Sequence, residues 1–75
     1  MRIYLLMYGE REHGPNGKCM GVFASLKEAQ DIAREKVARE KVKEDWDDPP
    51  PGAMSFYGAG VWMDITEHKV AARIG

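Results

Sequence analysis

The residues with chemistry to offer are few and scattered. Two histidines, His13 and His68, and a single cysteine, Cys19, stand near glutamates at Glu10, Glu12 and Glu67. Those are the ingredients of a metal site or a proton shuttle. Neither an H-E-x-x-H nor a C-x-x-C spacing brings them together, and ordinary solvated histidines fit both places. A nucleophilic cysteine needs an activating neighbour, and the sequence supplies none beside Cys19, which reads as a small hydrophobe. Gly58-Ala59-Gly60 is not a phosphate loop: no Gly-Lys-Ser/Thr follows, and the segment runs into a strand, not a helix. No catalytic residue, metal ligand set or cofactor site is assigned, and the chain is expected not to be an enzyme.

Chemistry of recognition has better material. Ile3 to Tyr8 reads IYLLMY, apolar or aromatic at every position. Strand side chains alternate between faces, so this strand is apolar on both. One set is Ile3, Leu5 and Met7; the other is Tyr4, Leu6 and Tyr8. A later run alternates Val61, Met63 and Ile65 with Trp62, Asp64 and Thr66. Placing Ile3, Leu5 and Met7 with Val61, Met63 and Ile65 under a helix leaves Tyr4, Leu6, Tyr8 and Trp62 as an open face. Such a face suits a second protein surface. Its three aromatics also fit a base-stacking platform, but platforms need cationic neighbours, and here Asp64 opposes Arg2 and Lys18. A second candidate surface is Val42 with Trp46, ringed by the acidic patch Glu44, Asp45, Asp47 and Asp48. Trp46 there is either a protein-contact anchor or a side chain folded back onto the prolines that follow.

The elements that must position these residues are legible in outline. A first strand is expected over 2–9, a turn-rich loop over 10–18, and a second strand over 19–24. Ser25-Leu26-Lys27-Glu28 is a capping box, in which Ser25 accepts from the Glu28 N–H, so a helix is predicted over 25–45. Its stripe is Leu26, Ala29, Ala33 and Val37, with Ile32 at the edge. The repeat REKVA then REKVK at 34–43 shifts the next valine by five residues, or ~500° of helix, so Val42 leaves the stripe. Either the helix breaks near Arg39 or its last turns carry a second apolar patch that overhangs the sheet and frays. A Pro-rich linker (47–54) and a third strand (55–67), bent near Gly58 or Gly60, follow. The tail, 68–75, is left open between a strand, a helical turn and a coil. The order β-β-α-β gives an α+β fold: a three-stranded antiparallel sheet, order 2-1-3, with one long helix on one face, half of a ferredoxin-like arrangement.

Seventy-five residues make one domain. A core of that size rarely contributes more than ~3–5 kcal/mol net, and small domains usually add disulfides, a metal or a second subunit. One cysteine permits no internal disulfide, and a thiol-lean chain fits a reducing cytoplasm. The N-terminal apolar run reads as a strand and not as a secretory signal, and no run approaches the ~18 residues of a membrane span. The net charge of −1 argues against a general nucleic-acid binder. Oligomerisation is the support most available, so a homodimer is expected.

The run GVFASLKEAQDIA, following YLLMYGE and a polar hairpin, resembles small uncharacterised domains of bacteria and their phages. Gly21, Val22, Phe23, Ser25, Glu28 and Ala29 carry the resemblance, which covers roughly the first thirty residues. The REKV repeat and the DDPPPG segment depart from the pattern. The resemblance implies the β-β-α-β fold; those domains carry no established activity, so it supplies no function, but it is compatible with a phage-encoded accessory or host-targeting protein, whose task would be to bind and inhibit a host protein. The residues themselves lead to a non-enzymatic, homodimeric interaction module; a nucleic-acid or nucleotide-binding platform is the alternative.

Overall fold

A computed structural model of the chain describes residues 1–14 and 16–70, and every side chain among them except that of His13. The elements are β1 (Arg2–Glu10), a 3-10 turn (Arg11–His13), β2 (Gly17–Phe23), α1 (Leu26–Glu44), β3 (Ser55–Gly58) and β4 (Val61–Lys69). They form an α+β fold in which one helix lies on an antiparallel sheet. The sheet has four strands in the order β2-β1-β4-β3, not three. The expected single strand over 55–67 is a hairpin. Ala59-Gly60 turns the chain, Gly60 takes φ +89°, and Gly58 pairs back with Val61. A left-handed φ is accessible to glycine at little cost, so a turn, not a bend, forms there. Of the tail, residues 68 and 69 continue β4, and 71–75 lie outside the described residues.

The register of β1 against β4 sets the layers. Leu6 lies opposite Ile65 and Tyr8 opposite Met63. Directly opposed residues share a face, so even-numbered residues of β1 join Val61, Met63 and Ile65 under the helix. The expected assignment is therefore reversed on β1: Tyr4, Leu6 and Tyr8 are covered, and Ile3, Leu5 and Met7 are not. A strand apolar on both faces gives no signal of which side it will bury. The core is Leu6, Phe56, Val61, Met63 and Ile65 from the sheet, with Ala29, Ala33, Val37 and Trp46. Ala29 and Ala33 are fully buried, and their small side chains let the helix approach the sheet closely.

Ser25 caps the helix as its spacing demands, accepting from the Glu28 N–H at 3.2 Å. Glu40 departs from helical geometry (φ −112°, ψ 15°), next to the expected break at Arg39. Past that kink Val42 is 99% exposed. Backbone hydrogen bonds tie the helix end to the β3–β4 hairpin. Asp45 takes a left-handed φ of 47°, the Ala59 N–H donates to the Glu44 carbonyl, and the Asp47 N–H donates to the Tyr57 carbonyl. Prolines leave carbonyls free to accept, and Arg34 donates to Pro49 and Pro50 while Gln30 donates to the Ala53 carbonyl. The Pro-rich segment is thereby strapped along the helix. Among the described residues no helix is long and apolar enough to cross a membrane.

Ser25→Ala removes the cap and leaves the Glu28 N–H without it. Urea unfolding followed by circular dichroism should register a loss of about 1 kcal/mol, with an unchanged slope.

Candidate functional site

Four rows of paired residues make up the face that the helix leaves bare. They follow from the ladder: Ile3–His68; Val22–Leu5–Thr66; Cys19–Met7–Asp64–Ser55; and Gly17–Gly9–Trp62–Tyr57. Ile3, Leu5 and Met7 are partly exposed, Val22 is 57% exposed and Tyr57 48%. Strand β4 explains the polar part of the face. Val61, Met63 and Ile65 are buried in the core, so Trp62, Asp64, Thr66 and His68 must point the other way.

The last row is built around Trp62. Its indole lies over Gly9 and Gly17, where side chains are missing: a Cβ on Gly17 would fall 2.7 Å from the Trp62 ring, and one on Gly9 would overlap it outright. The two glycines thus provide a floor for a flat aromatic ring. Arg11 sits with its guanidinium 5.8 Å from the centre of the Tyr57 ring, completing a corner of Arg11, Tyr57 and Trp62.

Two polar features interrupt the apolar surface. Asp64 is half-buried, and its Oδ1 is shielded from solvent with no hydrogen-bond partner among the described residues. An unsatisfied buried acceptor costs about 1–3 kcal/mol. His68 Nε2 is 3.0 Å from Thr66 Oγ1, which holds the imidazole against the face.

The other expected site residues are placed differently. Tyr4 and Tyr8 pack on the core beneath the helix, so the three aromatics of the expected platform do not share a face. Lys36 Nζ lies 4.5 Å from the centre of the Tyr8 ring and 2.8 Å from Glu40. Burial, then the nearby Glu44, Glu10 and Glu40, raise the Tyr8 phenol above its ordinary range. The hydrogen bond from Lys36 pulls the Glu40 carboxyl below its own. A cleft of about 430 Å³ opens beside Tyr8, lined also by Gly9, Glu10, Asn16, Gly17 and Lys18.

Trp46 is 3% exposed. It folds back over Gly58, where a Cβ would meet the indole at 3.2 Å, so it is a core residue and not a contact anchor. Val42 stands alone without it. The acidic run is spent partly on structure: Glu44 and Asp47 hold the β3–β4 hairpin through their backbones, and Asp48 pairs with Lys41. Among the described residues no three of His, Cys, Asp and Glu gather to hold a metal. Cys19 is exposed at the β2 margin of the bare face, two strands from His68. The side chain of His13 lies outside the described residues.

Comparison with known proteins finds no matching family model, no matching curated protein and no matching solved structure.

Ile3, Leu5, Met7, Val22, Tyr57, Asp64 and His68 are the face residues that sequence reasoning did not pick. The glycines opposite Trp62 were the available signal, because a tryptophan between two bare strand positions marks a surface ring lying flat. Gly9→Ala should displace the indole and lower stability by roughly 1–3 kcal/mol. In a Trp62→Ala background the same change should cost far less, and a double-mutant cycle in urea measures the difference.

Proposed function

We propose that the chain is a non-enzymatic protein-interaction module that works as a homodimer joined through the bare sheet face. The observation that carries this reading is the apolar surface of Ile3, Leu5, Met7, Val22 and Trp62 opposite the helix-covered side. The smallest dimension is 16 Å, the thickness of one sheet and one helix, and among the described residues no third layer lies over that surface. A monomer that keeps such a contiguous face wet forgoes burial that a small domain can ill spare.

The size of the face supports a dimer of the concentration-dependent class. Four strands ~4.8 Å apart and seven residues at ~3.3 Å give a footprint of roughly 20 by 23 Å per copy, before side-chain relief is added. That is at the low end for specific interfaces, which supports association in the micromolar range and not an obligate pair. The charges on the face do not favour nucleic acid. Arg11 braces Tyr57 at one corner, His68 stands at another, and Asp64 lies between, whereas phosphate binding draws on clustered cations.

Size-exclusion chromatography with light scattering, run from low to high micromolar concentration, should show a monomer–dimer equilibrium. Leu5→Glu places a carboxylate in the middle of the face and should leave a folded monomer. Val42→Glu, on the far side of the molecule, should leave the equilibrium untouched. A wild-type monomer at every concentration overturns the reading.

A further inference from the structure

The bare face has a charge pattern that selects one way of meeting its own copy. Asp64 lies near its middle and is half-buried; its Oδ1 is closed off within the chain and unpaired among the described residues, so a partner would meet the other carboxylate oxygen. Its neighbours on the face are Met7 and the Cys19 thiol beyond it, Ser55, Trp62 and Thr66, none of them a cation. Around His68 the face presents Ile3 and Thr66. The other charged groups near the face are Arg11, stacked over Tyr57, and the Met1 ammonium, which sits at the Val70 carbonyl one row beyond His68. Glu67 and Arg2 pair with each other on the helix side. Among the described residues the face therefore carries an acid without a base, and four residues along the same strand a base without an acid.

Building on the homodimer proposed above, we infer that two copies pack sheet to sheet about a two-fold axis lying between them, perpendicular to the strands at the level of Leu5 and Thr66, so that Asp64 of each copy pairs with the partner's His68. The ladder makes this geometry self-consistent. Rotation about that axis lays each strand antiparallel on its own copy and exchanges rows at equal distance from the axis. Leu5 meets the partner's Leu5, Val22 the partner's Val22, and Ile3 the partner's Met7. The same operation carries the Asp64 row onto the His68 row, twice, so both carboxylates find a base at once. Packed sheets stand ~10 Å apart, which one aspartate, one histidine and the hydrogen bond between them can span. Thr66 at Nε2 leaves His68 Nδ1 to donate across the interface.

Other operators do worse. An axis parallel to the strands keeps each residue at its own level, and Asp64 then meets the Met7 row. An axis at the level of Gly9 brings Asp64 toward the partner's Arg11, but it leaves Ile3, Leu5 and Val22 uncovered.

The pairing makes association depend on pH with a defined sign. A carboxylate partner favours the charged imidazolium over the neutral ring, so the dimer should be tighter at pH 6 than at pH 8. Analytical ultracentrifugation should show the dissociation constant falling about tenfold from pH 8 to pH 6. Asp64→Asn should flatten that profile. Asp64→His and His68→Asp should each weaken their own homodimers about tenfold or more, because each then opposes like charges. Mixed in equal amounts at pH 6, the two variant chains should recover a heterodimer, since every facing pair is again acid and base. Circular dichroism confirms that each variant is folded, and the wild-type pH profile stands as a test without any variant. A dimer insensitive to pH, whose two variants gain nothing on mixing, overturns this pairing and leaves the sheet-face homodimer intact. A monomer under all conditions overturns both.

Discussion

Leu6 and Ile65 lie opposite each other near the centre of the sheet, and every other layer assignment in the molecule depends on that pairing. It puts even residues of β1 on the side of the odd residues of β4, and the helix completes the layer with Ala29, Ala33 and Val37. A slip of one residue would exchange both sets of side chains. Tyr4, Leu6 and Tyr8 would then be wet, and Ile3, Leu5 and Met7 buried. Because β1 is apolar on both sides, β1 itself does not oppose such a slip. The decision comes from β4, whose Asp64, Thr66 and His68 would all have to enter the core if it turned over, and from Gly9 and Gly17, which accept the Trp62 ring only in the observed register.

The second organising feature is the closure of the sheet at β3. The chain leaving the helix does not wander. Asp45 turns it in a left-handed conformation, Asp47 reaches the Tyr57 carbonyl, and Trp46 fills the space over Gly58. Arg34 and Gln30 then strap the proline segment to the helix. One stretch of chain thereby covers the β3 edge, buries the largest side chain in the core and anchors the helix end. The cost is the unpaired Trp46 Nε1, which has no partner among the described residues. For a chain with so small a core, the burial of a whole indole outweighs one unsatisfied donor, at roughly 25 cal/mol per Å² of apolar surface against about 1–3 kcal/mol.

How much of this the sequence disclosed depends on how local each signal was. The Ser25 cap and the Ala29–Ala33–Val37 stripe are contained within a few residues, and each stands in the structure where its spacing puts it; the kink at Glu40 is one of the two outcomes that the REKV repeat leaves open. The hairpin at Ala59-Gly60 was hidden because a single glycine inside an alternating run suits a bulge, a bend or a turn equally well. Trp46 was ambiguous because its helical phase pointed away from the core, and phase loses its meaning once Asp45 ends the helix. The facing of β1 was not local at all. It is fixed by a pairing between residues some sixty positions apart, so Tyr4 and Tyr8 were placed on the wrong side while Trp62, set by β4's own alternation, was placed correctly.

A bare sheet offers a companion two kinds of opening, its face and its edge. β2 and β3 are the two edges of the sheet; β3 receives the Asp47 N–H at Tyr57, and Met20 and Val22 are exposed along β2. Adding a strand there would satisfy backbone groups but leave the apolar face as wet as before and nearly twice as wide. The register of β2 also shifts between Leu6 and Met7, a bulge of the kind that twists an edge away from regular pairing. Face packing of the kind proposed would remove the larger liability, and Asp64 would give it direction. A wholly apolar face would accept its copy in many orientations at similar energy. A carboxylate in its middle makes most of those orientations costly, because burying an unpaired charge is penalised far more heavily than burying a paired one. The acid that keeps the free face partly polar is thus also the group that restricts how two such faces can meet.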